Sequence, residues 1–97
     1  MPTYIVLGQW TQKGIENVKQ SSDRLDKVKQ MIQSLGGTLK GFYLTMGQYD
    51  FAVLIEAPDD KTQARLTLQL AAFGNVRTET LKAFNESEFR EIVASLT

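Results

Sequence analysis

The sequence predicts an α+β domain, a four-stranded antiparallel sheet with helices on one face. Three observations point to it. The chain has 97 residues, which suits one domain spanning 1–97. Short β-branched runs alternate with longer stripes of helical period. Turn and cap residues separate these runs in the order β-α-β-β-α-β-α.

Tyr4 to Trp10 is a β-branched and aromatic run and reads as the first strand. Thr11 can cap a short helical turn reaching Val18, which Gly14 weakens. Ser21-Ser22-Asp23 then starts a longer helix with Leu25, Val28, Ile32 and Leu35 on one stripe, ended by Gly36-Gly37. Leu39 to Thr45 is the second strand, with Leu39, Gly41 and Tyr43 expected on one face and Lys40, Phe42 and Leu44 on the other. Met46-Gly47-Gln48-Tyr49 reads as a hairpin connection. Phe51 to Ile55 is continuously apolar, so this third strand wants cover on both faces.

Pro58-Asp59-Asp60 marks a helix start. Lys61 to Phe73 fits either period, but its Ala, Leu, Gln, Lys and Arg content selects helix, with Ala64, Leu68, Ala71 and Ala72 as the expected apolar face. After Gly74-Asn75, Val76 to Phe84 supplies the fourth strand. Asn85 and Glu88 then form a capping box, bracketed by Phe84 and Phe89. The stripe Phe89, Ile92, Val93, Leu96 predicts a short terminal helix that docks on the domain. The economical solution is the ferredoxin-like plan, with the first and third strands central. Its helices cover one sheet face. The apolar character of Trp10, Phe42, Tyr43 and the third strand predicts that a second subunit covers the other, most simply as a C₂ pair.

Composition narrows the chemistry. Eleven basic residues balance eleven acidic ones, so no strongly basic nucleic-acid surface is expected. There is no Cys and no His, which removes thiol nucleophiles, the easiest neutral-pH base and the commonest metal ligand. Glu56, Asp59 and Asp60 read as a capping cluster without the spacing of a metal loop. Gly36-Gly37 lacks the surroundings of a phosphate loop. Neither metal nor cofactor is expected. Met1 to Gly8 has no positive n-region and no apolar run nears the ~20 residues of a membrane helix. The expected address is cytoplasmic, away from membranes.

Gly47-Gln48-Tyr49-Asp50 follows Phe42 to Met46 and precedes the apolar strand and Glu56 to Asp60. With Trp10-Thr11, Gly14, Leu35-Gly36-Gly37 and Gly74 to Thr78, these segments resemble the GYD domain family, named for a Gly-x-Tyr-Asp motif that Gly47, Tyr49 and Asp50 match. The resemblance implies a dimeric α/β barrel. Barrels of similar appearance include monooxygenases, isomerases, haem enzymes and effector-binding regulatory domains, so the resemblance does not choose a function.

The residues themselves admit two readings. In a structural one, Gly47 takes a positive φ, Tyr49 packs at the rim and Asp50 accepts backbone hydrogens. In a functional one, the same turn borders a pocket between sheet and helices, where Trp10, Tyr43, Tyr49 and Arg77 converge. Arg77 would clamp an acidic ligand or pair with Glu79 on the same side of its strand. Trp10 and Tyr43 divide between packing and pocket wall. The first functional hypothesis is a homo-oligomeric domain that binds a small molecule or serves a structural or regulatory role without catalysis. The second is a cofactor-free enzyme of isomerase or monooxygenase type using Tyr49, Asp50 and Arg77.

Overall fold

The computed structural model describes all of residues 1–97. Its elements are β1 (Thr3–Trp10), α1 (Gln12–Glu16), a 3-10 turn (Val18–Gln20), α2 (Ser21–Ser34), β2 (Thr38–Leu44), β3 (Phe51–Glu56), α3 (Asp60–Phe73), β4 (Val76–Ala83) and α4 (Glu86–Ala94). The expected plan is present: one antiparallel sheet in the order β2-β3-β1-β4, with α2 against β2 and α3 against β4. The caps of α3 and α4 are those the sequence signals, whereas α2 starts at Ser21 with no side-chain cap. The Asp59 carboxylate accepts the Thr62 N–H at 2.8 Å, and Gly74 ends α3 in the left-handed region at φ 80. Asn85 and Glu88 exchange both bonds of their capping box.

One expectation fails outright. The chain does not close a barrel, because its four-stranded sheet ends in free edges at β2 and β4. β2 and β4 lie at opposite edges and do not pair, so the sheet stays open.

The core is a thin slab on the helix side of the sheet. Val6, Phe51, Val53 and Ile55 project up from the central strands and meet Ile32 of α2 and Leu66 of α3. Only 12 of 97 residues are buried, and Ala52 and Leu54 on the opposite face of β3 are half-exposed. The alternation of β1 and β3 explains this. One set of side chains enters the slab, and the other set faces away from both helices.

Three facings differ from the sequence reading. A bulge at Lys40 shifts the β2 register, so Leu39 joins Phe42 beside the core while Gly41 and Tyr43 face the open side. An inserted residue reverses every facing before it. On α3, the buried residues are Gln63 and Leu66, with Leu70 partly buried; Ala64, Leu68, Ala71 and Ala72 face solvent, Leu68 being 71% exposed. Small alanines give no strong stripe, and tertiary packing chose the other face. Finally, α4 does not bury its stripe on the domain as expected: none of its residues is buried. Phe89 is 59% and Leu96 70% exposed. The molecule is accordingly long, 52 × 31 × 18 Å, although an eight-residue strand spans only about 27 Å.

Two glycines permit close approach. A Cβ on Gly8 would lie 2.0 Å from the Phe51 ring, and one on Gly14 would lie 2.0 Å from the Asn75 carbonyl oxygen. Gly14 thus lets α1 nest against the α3–β4 turn. Thr11 secures that joint, its N–H reaching the Asn75 carbonyl at 3.0 Å and its hydroxyl the Gly74 carbonyl at 2.6 Å.

A polar clamp ties β1, α3 and β4 together. The Tyr4 hydroxyl donates to Asp60 Oδ1 at 2.5 Å, and Lys82 Nζ donates to Oδ2 at 3.2 Å. Burial first, and then the Asp60 bond, push the Tyr4 hydroxyl up to about 12 from 10.0. The Tyr4 and Lys82 bonds hold the Asp60 carboxyl below its ordinary 3.8, while the Thr62 backbone does the same for Asp59. A lowered carboxylate contributes stability above its unfolded value and loses it as pH falls. A raised phenol contributes below its unfolded value and loses it as pH rises through the folded one. The thermal midpoint should therefore be flat from about pH 5 to 9, then decline on both sides. Circular dichroism melts check this: Asp60→Asn should flatten part of the acid limb, and an unchanged limb would remove Asp60 from the account.

Candidate functional site

The Gly-x-Tyr-Asp loop joins β2 to β3 and is laid over the end of β1. The Asp50 N–H donates to the Gly8 carbonyl at 2.8 Å, and its own carbonyl accepts from Thr45 N–H at 2.9 Å. Its Oδ2 accepts the Trp10 backbone N–H at 3.0 Å. Thr45 Oγ1 donates to the Tyr49 carbonyl at 2.6 Å, and Gln9 Nε2 to the Gln48 carbonyl at 2.7 Å. Asp50 is thus engaged through its N–H, its carbonyl and its carboxylate. These bonds satisfy main-chain groups where the β1–β3 ladder ends.

Tyr49 crosses the open face of the sheet, and its hydroxyl donates to Glu79 Oε2 on β4. That bond is the main cause holding the phenol above its ordinary value, followed by desolvation and the Glu79 charge. Tyr49 is therefore a neutral hydrogen-bond donor near pH 7 rather than a base. It also takes the carboxylate that Arg77 was expected to meet. Arg77 lies opposite Gln9 on the same open side, exposed, with no ion pair or side-chain hydrogen bond. Gly47 likewise departs from expectation. Its φ is not positive, and a Cβ there would meet nothing within 4 Å. Its neighbour Met46 is 99% exposed.

The expected convergence does not occur. Trp10 follows the parity of Tyr4, Val6 and Gly8 and lies on the helix side, its ring centroid 5.6 Å from that of Phe51. Tyr43, Tyr49 and Arg77 are associated with the opposite side. The sheet itself stands between the two groups. A pocket does exist between sheet and helices, but of the five candidates only Trp10 lines it.

That pocket is an apolar cleft of about 610 Å³, within the range of small-molecule sites. Its reason is geometric. The helices sit over the edge strands β2 and β4, about 14 Å apart at ordinary strand spacing, whereas packed helices need 8–10 Å. The gap lies over β3 and β1, and Val28, Met31, Phe42, Leu70 and Phe73 line it with Trp10. Lys13, Arg24 and Lys27 border it, and no Asp or Glu does. Lys13 is spent on the Phe73 carbonyl at 2.8 Å, and Arg24 on Asn17 and Ser21; Lys27 has no hydrogen bond or ion pair. The α2 stripe announced Val28, but nothing local marks Phe73 or Leu70 as walls of a cleft. That role needs the distance between two helices.

The acidic cluster near Asp59 is structural. Asp59 caps α3, Asp60 joins the Tyr4 clamp, and Glu56 lies 3.9 Å from Lys40 Nζ. No group of three or more His, Cys, Asp or Glu side chains is placed to hold a metal ion. No helix is long and apolar enough to cross a membrane.

Residues 4–93 match the GYD domain family. A Thermus thermophilus protein described as glutamine synthetase and cystathionine beta-lyase binding protein is 39% identical over 84 residues, covering 86% of this chain and 88% of that one. The crystal structure of TTHA0845 from the same organism aligns with TM-score 0.56 and 25% identity, covering 88% of this chain and 95% of that chain. The crystal structure of FFRP-DM1 aligns with TM-score 0.62 and 19% identity, covering 87% and 100%.

The two motif-side charges should separate cleanly in urea denaturation. Asp50→Ala leaves the Trp10 N–H without its acceptor and should cost about 1–3 kcal/mol. Arg77→Ala removes no bond and should stay within about 0.5 kcal/mol of wild type. Equal midpoints for wild type and Asp50→Ala would show that the loop is held elsewhere.

Proposed function

The chain belongs to the GYD domain family, and we propose that this member is a self-associating, non-catalytic regulatory module. It pairs with a second copy over its open sheet face and acts by binding partner proteins of the metabolic-enzyme class. The observation that carries this reading is how the chain divides its groups. The motif's polar atoms are occupied by the fold, while its apolar surfaces are left uncovered. Asp50 is bonded to backbone and Tyr49 to Glu79, and Trp10 is on the far side of the sheet. An enzyme would bring an acid or base and a binding wall into one enclosure.

The uncovered surface is large. The chain exposes 6703 Å², against roughly 5,600 Å² for a compact monomer of its mass. The excess of about 1,100 Å² exceeds the ~800 Å² that one partner gives to a standard interface. Ile5, Leu7, Leu54, Tyr43 and Leu81 form an apolar band across all four strands on the open side. Two such open sheets stacked face to face would bury both bands about 10 Å apart, as layers. The relative that binds glutamine synthetase and cystathionine beta-lyase supports a role exerted on enzymes. A second, additional role is favoured by Arg77. Its free guanidinium at the end of the band suits the carboxylate of a small acidic ligand.

Light scattering tests the pairing. Wild type at micromolar concentration should have at least twice the 10.9 kDa chain mass. Leu54→Lys should lower that mass with an unchanged far-ultraviolet spectrum. A wild-type mass of 10.9 kDa would end the self-association reading. Calorimetric titration with purified glutamine synthetase and cystathionine beta-lyase tests the partner class, and absence of heat with both would remove the support taken from the relative.

A further inference from the structure

We infer that α4 of a second copy seats its apolar stripe in the cleft between α2 and α3. Two features of one chain carry this inference, a helix with an exposed apolar stripe and an apolar cleft bordered by basic residues.

The helix cannot account for itself. α4 has nine residues, and isolated helices shorter than about 12 residues are marginal in water. Its capping box fixes the first turn but leaves the Phe89, Ile92, Val93, Leu96 stripe exposed. Most helix stability in proteins comes from packing an apolar face, and that face is exposed here. Its own cleft does not receive it, since no α4 residue lines that cleft. β4 runs from Val76 beside Trp10 to Ala83 beside Thr3, so α4 departs from the end of the sheet away from Trp10 and Phe73. Phe84 and Asn85 alone connect it to β4.

The cleft fits that helix in kind. Its walls are aromatic and aliphatic, the surface that receives an amphipathic helix. The charges are complementary. α4 carries Glu86, Glu88 and Glu91 against Arg90 alone, while the cleft is bordered by Lys13, Arg24 and Lys27 and by no acid. Glu91 on the helix and Lys27 at the cleft have no ion pair within the chain. Each copy offers one helix and one cleft, so the contact can be reciprocal. It lies on the opposite side of the sheet from the open-face pairing. The two contacts together would build an assembly larger than a dimer, and either can fail without the other.

The absence of Cys makes cross-linking clean. Ile92→Cys chains are mixed with tagged Phe73→Cys chains and mildly oxidised. The mixed disulfide should form at least about tenfold faster than with tagged Leu54→Cys on the open face or Leu68→Cys on the outer face of α3. Preferential capture by Leu54→Cys or Leu68→Cys, or no mixed disulfide, overturns the proposal. In the second measurement Phe89→Asp, at an exposed position, should keep the fold and weaken association by about thirtyfold or more. The emission of Trp10, the single tryptophan, should move to the red as the cleft admits water. Unchanged association and emission would overturn it. So would an emission change with decanoate that Phe89→Asp does not alter, which would assign the cleft to a small apolar acid.

Discussion

The Phe51 ring rests on the bare backbone of Gly8, and much of the molecule is organised about that contact. It fixes the register of the two central strands, since Gly8 and Phe51 are opposite each other in the ladder. Burying Phe51 contributes roughly 1.5–3 kcal/mol, a large part of what a thin core can supply. The same ring stacks on Phe42 and meets Trp10, each at 5.6 Å between centroids, and so helps line the cleft. One residue earlier, Asp50 bonds Gly8 and Trp10 on either side of the ring. The motif and the cleft thus meet at one joint, from opposite sides of the sheet.

That joint gives the family's motif a structural role. An aspartate that accepts a backbone N–H at a strand end is difficult to replace, because the N–H would lose its partner. Tyr49 extends the same logic across the open face by binding Glu79. Gly47 is the exception. Neither φ nor neighbours within the chain require a glycine there.

A domain of this size has two ways to handle excess apolar surface, a larger core or a partner. This chain has a small core and three uncovered apolar regions: the open sheet face, the α4 stripe and the cleft between the helices. Their positions on different sides of the molecule make association the simplest common explanation.

Local chemistry was legible in the sequence. The order of elements, the helix after Pro58, the left-handed cap at Gly74 and the capping box at Asn85 follow from interactions within a few residues. The central position of β1 and β3 was also legible, because buried strands carry few polar residues. What tertiary structure alone decided depends on distance or parity. The Lys40 bulge moved Leu39 to the other face, a one-residue event without a clear signal in Leu-Lys-Gly. Packing against the sheet chose the Leu66 face of α3 over the alanine face, because three alanines gain little from burial. Strand parity sent Trp10 to one side of the sheet, while the loop geometry sent Tyr49 across the other. The terminal helix shows the limit most plainly. Its stripe specified that a surface must cover it, but a stripe records only its own apolarity. Where that helix leaves the sheet was settled by the two-residue connector and the direction of β4.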